Sequence, residues 1–326
     1  ATNRSFEFRS GVTVYPAGPY LALLPGVLFG LTPKLAVQGG IALLDGLGAL
    51  ATGALARRLG LGARAALFAA LLYAALPVML TSLWFGHTAQ VFGQGLMAPL
   101  ALVLLAGLER ERARSWLVAW ALLSIALLSH IGVSILALAW LALAWLALRG
   151  RVSGRAWWRF ALVLAAGGAL GLALVYGPAA QLKLAEFGKV GERVAGGGGP
   201  AYNLIWRAFQ ISFSPLGWLL ALPGLLLLRK VRMPRGGAAL LGAWLTAAAV
   251  FWAVEMVTAL QVRYLVFLAP LACLLLGRAL GELAARGWAG RITAWAAVGA
   301  VLALGCATWY TGVFQNVQMS MIPLLR

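Results

Sequence analysis

The sequence is a succession of apolar stretches, most of them long enough to cross a lipid bilayer. A membrane-spanning helix needs about 20 mainly apolar residues. Hydrophobic residues make up 63% of the sequence and charged residues only 10%, whereas soluble domains average about 45–50% and about 25%. A soluble enzyme and a disordered chain are therefore both excluded. The predicted spans are 36–56, 64–84, 92–108, 115–129, 131–148, 157–176, 214–228, 237–258, 264–281 and 292–311.

The spans 115–129 and 131–148 lie in one apolar run, which is too long for a single crossing at about 1.5 Å per residue. Ser129-His130-Ile131-Gly132 is the only interruption of that run, so we place a tight hairpin there. The predicted fold class is therefore an all-α polytopic membrane protein with about ten transmembrane helices.

The positive charge follows the order of these spans. The chain has 26 Lys and Arg against 8 Asp and Glu, a net charge of +18, which in a soluble protein would indicate nucleic-acid binding. Here 17 of the 26 lie in five segments, the basic loops, each placed where alternate crossings return to one side. The positive-inside rule makes that side cytoplasmic, so no nucleic-acid partner is expected. The basic loops are 57–64, 109–114, 149–159, 229–235 and 278–291.

The same alternation of sides divides the chain into four parts. Residues 1–35 are expected outside, with a juxtamembrane helix within 15–31, where three prolines interrupt an apolar run. A bundle of six spans covers 36–176, and 177–213 is an extracytoplasmic loop whose glycine run could act as a hinge. That loop is either a lid over a site or a disordered connector. A bundle of four spans covers 214–326 and ends in an outer tail.

Asp45, the only Asp in the chain, lies within span 36–56. A carboxylate inside a membrane is costly unless it is paired or functional. Its structural interpretation is pairing with an arginine or a hydroxyl of a neighbouring helix. The glycines around it would let such a helix approach closely. These glycines are Gly39, Gly40, Gly46 and Gly48.

The predicted topology brings a set of polar residues from separate segments to the outer surface. Arginine and histidine are donors suited to an anion, so the set suits a phosphate-bearing ligand at the membrane surface. A single interfacial histidine is more often a hydrated or capping residue, but several residues at one level favour a shared cavity. The set consists of Tyr15, Tyr20, His87, Gln90, His130, Arg207, Glu255, Arg263 and Tyr264.

Other kinds of chemistry find no support in the sequence. It has no phosphate-binding glycine loop with its lysine, no His/Cys cluster of metal-binding type and no nucleophile elbow. Cys273 and Cys306 both lie in apolar runs and indicate no disulfide framework. No cofactor is identified, and a divalent metal has no support from the residues.

Four short motifs lie one after another along the chain. They are a Tyr-Pro-rich segment at 15–20 with an apolar helix leading to Ala-Arg-Arg-Leu at 56–59, Gly-His in 86–92, Ser-His in 129–133, and Arg-Tyr followed by Pro in 263–270. In order, side and spacing they resemble the integral-membrane family C glycosyltransferases, which have the GT-C fold. The resemblance covers essentially the whole chain.

The resemblance implies a membrane enzyme that moves a sugar from a polyprenyl-phosphate carrier to an acceptor glycan, lipid or protein on the extracytoplasmic face. It places the protein in the cell envelope, in a bacterial cytoplasmic membrane. It also implies that Arg263, with Tyr264 and Arg207, binds the phosphate of the lipid carrier. The substrate pocket would contain His87, Gln90, His130, Glu255, Tyr15 and Tyr20.

One departure from the family concerns the catalytic acid. The family's first outer loop follows a first span and carries an acidic residue, usually Asp, before the Tyr-Pro segment. This sequence has neither that span nor that Asp, and only Glu7 precedes Tyr15. We therefore expect the catalytic residue and the first span upstream of Ala1, and we assign no catalytic role to Glu7.

Two other functions stay open from the sequence. A non-catalytic GT-C subunit or lipid-binding scaffold would lack the acid and would bind other subunits of a membrane complex. A transporter or lipid flippase would need a polar path through the bundle, and Asp45 is the residue that would serve it.

Overall fold

A computed structural model describes residues 18–76, 88–178, 180, 215–258 and 267–313. All regular structure in these ranges is helical. The first six helices are α1 (Gly18–Leu28), α2 (Pro33–Arg58), α3 (Ala63–Ala75), α4 (Thr88–Gly95), α5 (Met97–Arg110) and α6 (Ala113–Leu127). They are followed by α7 (Ile131–Leu148), α8 (Gly154–Gly171) with a π-helical turn (Leu172–Tyr176), α9 (Pro215–Leu228), α10 (Gly237–Thr258), α11 (Ala269–Ala285) and α12 (Trp288–Val313).

Six of the described helical segments are long and apolar enough to cross a membrane. They are Pro33–Arg58, Ala89–Arg110, Ile131–Leu148, Gly154–Tyr176, Gly237–Val254 and Trp288–Ala307. The other predicted spans correspond to shorter helices, α3, α6, α9 and α11, of 13 to 17 residues. The protein is an integral membrane protein, and the predicted number of ten spans is not confirmed.

The predicted hairpin at 129–132 is confirmed. α6 ends at Leu127 and α7 begins at Ile131. The helix starts follow local chemistry, because Thr32 and Ser153 accept hydrogen bonds from backbone N–H groups of α2 and α8 that lack an intrahelical partner. α1 lies within the segment predicted as a juxtamembrane helix and packs on α2.

The basic loops meet at one end of the helix bundle. Arg58 forms an ion pair with Glu109 across two of them. Arg278 donates from Nη1 to the Leu61 carbonyl at 3.4 Å, and Arg235 donates to the Arg151 carbonyl at 3.3 Å. We call this the basic end and the other the opposite end. The shared position of these loops agrees with helices that cross alternately, as the charge pattern predicts.

Small residues let α3 pack closely between α2 and α11. Gly277 and Gly281 of α11 face Ala65 and Ala69 of α3, a small-residue spacing typical of helix contacts in membranes. On an adjacent face of α3, Gly53 of α2 faces Ala66 and Ala70. Close backbone approach therefore joins the early helices to a helix about 200 residues later in the chain.

We expect Gly277→Ala to loosen the contact between α3 and α11. A Cβ at Gly277 would lie 2.5 Å from the Ala65 carbonyl oxygen and 2.8 Å from the Ala69 amide nitrogen. These are backbone atoms, so the helices must move apart, at a cost of about 1–3 kcal/mol. The melting temperature of the purified protein should fall. The control is Gly242→Ala, where a Cβ meets no atom within 4 Å, and an equal effect of both variants would contradict this packing.

Candidate functional site

The buried polar side chains of the described residues are concentrated at the opposite end. Apart from Thr52, all of them come from α4 and from the hairpin of α6 and α7. Together with Tyr176, which bonds to this hairpin, we call them the polar cluster. Its members are Gln90, Gln94, Ser124, Ser129, His130, Ser134 and Tyr176.

His130 forms the tip of the hairpin and caps α7. Its backbone is extended, with φ −158° and ψ 133°, and its Nδ1 accepts a hydrogen bond from the Gly132 N–H at 3.1 Å. In the neutral imidazole the proton then lies on Nε2, which makes that nitrogen a donor. The capping role that the sequence favoured for such a histidine is therefore present, and it orients the ring at the tip of the hairpin.

Hydroxyl groups join the hairpin to the end of α8. The Ser134 and Tyr176 hydroxyls are hydrogen-bonded at 2.7 Å, and each lies within hydrogen-bonding distance of the Leu127 carbonyl, at 2.9 and 2.7 Å. Tyr176 lies in the π-helical turn, whose wider bonding includes the Gly177 N–H to the Leu172 carbonyl at 2.6 Å. Such turns often occur at functional sites. This π-helical turn follows α8, and its residue Tyr176 bonds to the hairpin.

α4 brings two glutamines against the hairpin. Gln90 and Gln94 are four residues apart and therefore lie on one face of the helix. Gly93, between them, allows close approach, since a Cβ there would lie 3.1 Å from the Ser129 Cβ. Gln94 is only 3% exposed, and neither atom of its amide has a hydrogen-bond partner among the described residues. A buried amide in this state costs free energy, which is typical of a group whose partner is a ligand or an ordered water.

Asp45 is held by a hydroxyl, as the structural interpretation of the sequence predicted. The Tyr73 hydroxyl of α3 donates to Asp45 Oδ1 at 3.3 Å. Of the four glycines around Asp45, Gly48 contacts the Tyr73 ring and Gly40 contacts the Leu23 side chain of α1. A Cβ added at Gly39 or Gly46 would meet no atom within 4 Å. Asp45 therefore connects α2 and α3, next to Leu44, which packs on Gly95 of α4.

Of the predicted site residues, Gln90 and His130 are both buried in elements of the polar cluster. Tyr20 is exposed on α1, which joins the hairpin through a hydrogen bond from the Gly18 N–H to the Leu128 carbonyl at 3.0 Å. Glu255 lies in the last turn of α10, and its side chain is outside the described part. Tyr15, His87, Arg207, Arg263 and Tyr264 lie outside the described residues. The convergence of the full set stays a prediction.

The sequence reasoning missed Gln94, Ser134 and Tyr176. Two of them had a signal, because Gln94 follows Gln90 and Ser134 follows His130 by four residues, one helical turn on the same face. Tyr176 had none, since its position depends on the π-helical turn. Nothing in the described ranges brings three or more His, Cys, Asp or Glu side chains together. Cys273 is buried and Cys306 exposed, and neither forms a disulfide.

Comparison with known proteins identifies the fold. No family model and no curated protein matches the sequence. The crystal structure of ArnT from Cupriavidus metallidurans in the apo state matches with a TM-score of 0.59 at 21% sequence identity. The match covers 94% of this chain and 56% of the ArnT chain, so this chain spans little more than half the length of that protein. The chain is an integral membrane protein with the GT-C fold.

Proposed function

We propose that the protein transfers a sugar from a polyprenyl-phosphate carrier to an acceptor at the membrane surface opposite the basic loops. Two observations support this function. The GT-C fold is that of the glycosyltransferases which the motifs resemble. The observation that carries the proposal is Gln94, whose buried amide has no protein partner in the described chain, within a cluster of hydroxyl, amide and imidazole groups. Sugars are recognised by such groups, because each sugar hydroxyl both donates and accepts.

The proposed reaction needs charge stabilisation at the carrier phosphate. As the sugar leaves, negative charge grows on that phosphate, and a fixed guanidinium there lowers the barrier. We assign this role to Arg263, with Tyr264 and Arg207 as further donors. The Gln90 and Gln94 amides and the His130 ring are assigned to the sugar, with Tyr15, Tyr20, His87 and Glu255 lining the same pocket. The loop 177–213 would cover it. A carboxylate that deprotonates the acceptor hydroxyl completes the chemistry.

The charge pattern supports the sidedness of the proposed site. Basic loops are retained on the cytoplasmic side, and these loops share one end of the bundle. The polar cluster lies at the other end. With the domain limits expected from the sequence, 1–35, 36–176, 177–213 and 214–326, the two long non-spanning segments would lie at this same end.

A transfer assay tests the proposal. The full-length native protein is reconstituted in lipid nanodiscs with radiolabelled polyprenyl-phosphate sugars, one hexose or pentose at a time, and a membrane extract as acceptor. We expect loss of label from one lipid-linked sugar and its appearance in a new product, with no transfer from the matching nucleotide sugar. Transfer from the nucleotide sugar alone would contradict the proposal. Binding of the lipid without any transfer would instead support the non-catalytic scaffold.

We expect Gln94→Leu to separate activity from stability. Leucine removes a buried amide that has no protein partner in the described chain, so unfolding should become no easier and could become harder by about 1–3 kcal/mol. Loss of the amide should lower sugar transfer about tenfold or more, since a hydrogen bond to the sugar is lost. The measurements are the melting temperature and the initial transfer rate of each protein. Gln38→Leu is the control, since Gln38 is exposed on α2 and should change neither.

A fall in stability without loss of transfer in Gln94→Leu would remove Gln94 from the site.

Asp45→Asn distinguishes the transporter alternative. Because Asp45 is hydrogen-bonded to Tyr73, we expect this variant to keep sugar transfer. A protein that moves lipid or solute in proteoliposomes, and stops when Asp45 is replaced, would support the transporter.

A further inference from the structure

A groove runs between α6 and α8 next to the basic end, away from the polar cluster. It has a volume of about 290 Å³ and is walled mainly by apolar side chains, with one arginine. Trp116 and Trp120 come from α6, and Arg159, Leu162 and Ala166 from α8. Leu162 and Ala166 follow each other by one helical turn, so they extend the groove along α8 from Arg159 towards the membrane interior.

We propose that this groove binds an anionic phospholipid, with an acyl chain along the apolar wall and the phosphate at Arg159. The site is separate from the proposed sugar-transfer site, and its occupant is a lipid of the membrane, not a substrate. Basic sites between helices at the level of the headgroups are suited to anionic lipids.

The position of the groove argues for a lipid. It opens on a flank of the bundle where large apolar side chains are exposed, including Leu162 at 64% and Trp158 at 63%. On an integral membrane protein such a flank faces acyl chains rather than water. An apolar groove on this flank is therefore filled by a lipid tail.

The charges around the groove argue for an anionic headgroup. Arg159 is half-buried, and its described hydrogen bond uses only Nη1, which donates to the Glu111 carbonyl at 2.6 Å. A guanidinium has five N–H groups, so most of this fork is left for a phosphate. Arg112, Arg114 and Arg155 are exposed on the first turns of the same two helices or just before them.

The nearby acid does not cancel this charge. Glu111 is the acidic residue beside Arg159, and its carboxylate accepts a hydrogen bond from the Ser153 hydroxyl at 2.6 Å. Glu109, two residues earlier, forms an ion pair with Arg58 instead. Arg159 lines the groove and three exposed arginines lie near it in the chain, against the single Glu111 carboxylate, which is already hydrogen-bonded to Ser153. Charge complementarity favours a phosphate, which arginine binds in a bidentate manner.

The test measures lipid binding to the delipidated full-length protein in neutral detergent. Phosphatidylglycerol, phosphatidylcholine with the same acyl chains, and inorganic phosphate are each titrated, with the melting temperature and native mass spectrometry as readouts. We expect phosphatidylglycerol to raise the melting temperature and to remain bound, phosphatidylcholine to bind at least about tenfold more weakly, and phosphate alone to have no effect. Equal effects of the two lipids, or the full effect from phosphate, would overturn the proposal.

Two variants locate the site, and one control tests specificity. Arg159→Gln should weaken phosphatidylglycerol binding at least about tenfold, whereas Arg291→Gln, at an exposed arginine of another basic loop, should leave it unchanged. Ala166→Trp fills the groove, keeps every arginine and should weaken binding by a similar factor. Ala166→Trp decides the matter should Arg159→Gln not fold. Binding equal to the original in Ala166→Trp, or equal losses in Arg159→Gln and Arg291→Gln, would overturn the proposal.

Discussion

Replacing Arg263 by alanine is expected to lower sugar transfer about a hundredfold or more, because loss of one donor to developing charge costs about 2.7–4 kcal/mol in known enzymes. Under the proposed function this guanidinium binds the carrier phosphate that accepts negative charge as the sugar leaves. The loss should appear mainly in kcat, since the charge grows in the transition state. The measurement is the initial rate of transfer from the lipid-linked sugar over a range of donor concentrations.

Two further variants make this result specific. Arg263→Lys keeps the charge but not the planar fork, so it should recover part of the rate. Arg291→Ala removes an exposed arginine at the start of α12, in a basic loop, and should leave the rate unchanged. Transfer by Arg263→Ala at the original rate would remove the phosphate-binding role from this residue.

Trp140→Ala is expected to destabilise the protein by about 3–5 kcal/mol, the usual cost of removing a fully buried large aromatic side chain. Trp140 is fully buried and joins α7 to α10, where it stacks on Trp244 with ring centroids 4.4 Å apart. Its indole N–H donates to the Leu240 carbonyl at 2.9 Å. Alanine leaves a cavity and removes this hydrogen bond as well. Unfolding in mixed micelles, followed by tryptophan fluorescence and by melting temperature, measures the change.

The matched control removes a tryptophan that packs little. Trp288 opens α12 and is 72% exposed, so Trp288→Ala should change the free energy of unfolding by less than about 1 kcal/mol. A small effect of Trp140→Ala, equal to that of Trp288→Ala, would show that α7 and α10 do not pack through this ring pair.

The helix bounds were predictable where the sequence itself ends an apolar run. α7 begins and ends where the spacing predicted, at Ile131 and Leu148, because His130 caps its start and a basic loop follows its end. α10 likewise matches the predicted 237–258. For the span 64–84, helix α3 covers Ala63–Ala75. Residues 77–84 lie outside the described residues, so the predicted end of this span stays a prediction.

The pairing of Asp45 was predictable in kind, because a carboxylate within a span needs a donor, and the Tyr73 hydroxyl supplies one. The contact of Gly277 and Gly281 with Ala65 and Ala69 was not predictable. Alanine and glycine are frequent throughout the sequence, and no local pattern says which small residues meet across such a distance in the chain. Tertiary packing determines that choice.

The candidate site was likewise predictable from the sequence only in part. Gln90 and His130 were predicted because polar residues inside or beside apolar spans are costly unless they have a role, and both are buried at the opposite end. The importance of Gln94 depends on the lack of a hydrogen-bond partner among the described residues, and that of Tyr176 on a π-helical turn. Neither property is visible in a linear pattern, because each depends on which helices become neighbours.

Photoaffinity labelling with a polyprenyl-phosphate analogue that carries a photoreactive group beside the phosphate shows where the carrier lipid binds. The full-length protein is labelled in nanodiscs of phosphatidylglycerol, the lipid class proposed to fill the groove between α6 and α8. The labelled peptides are mapped by mass spectrometry. We expect label in the peptide that contains Arg263 and in the peptides of α4 and of the α6–α7 hairpin, displaced by unlabelled lipid-linked sugar. Label confined to the basic loops, or label at the polar cluster that the lipid-linked sugar does not displace, would contradict it.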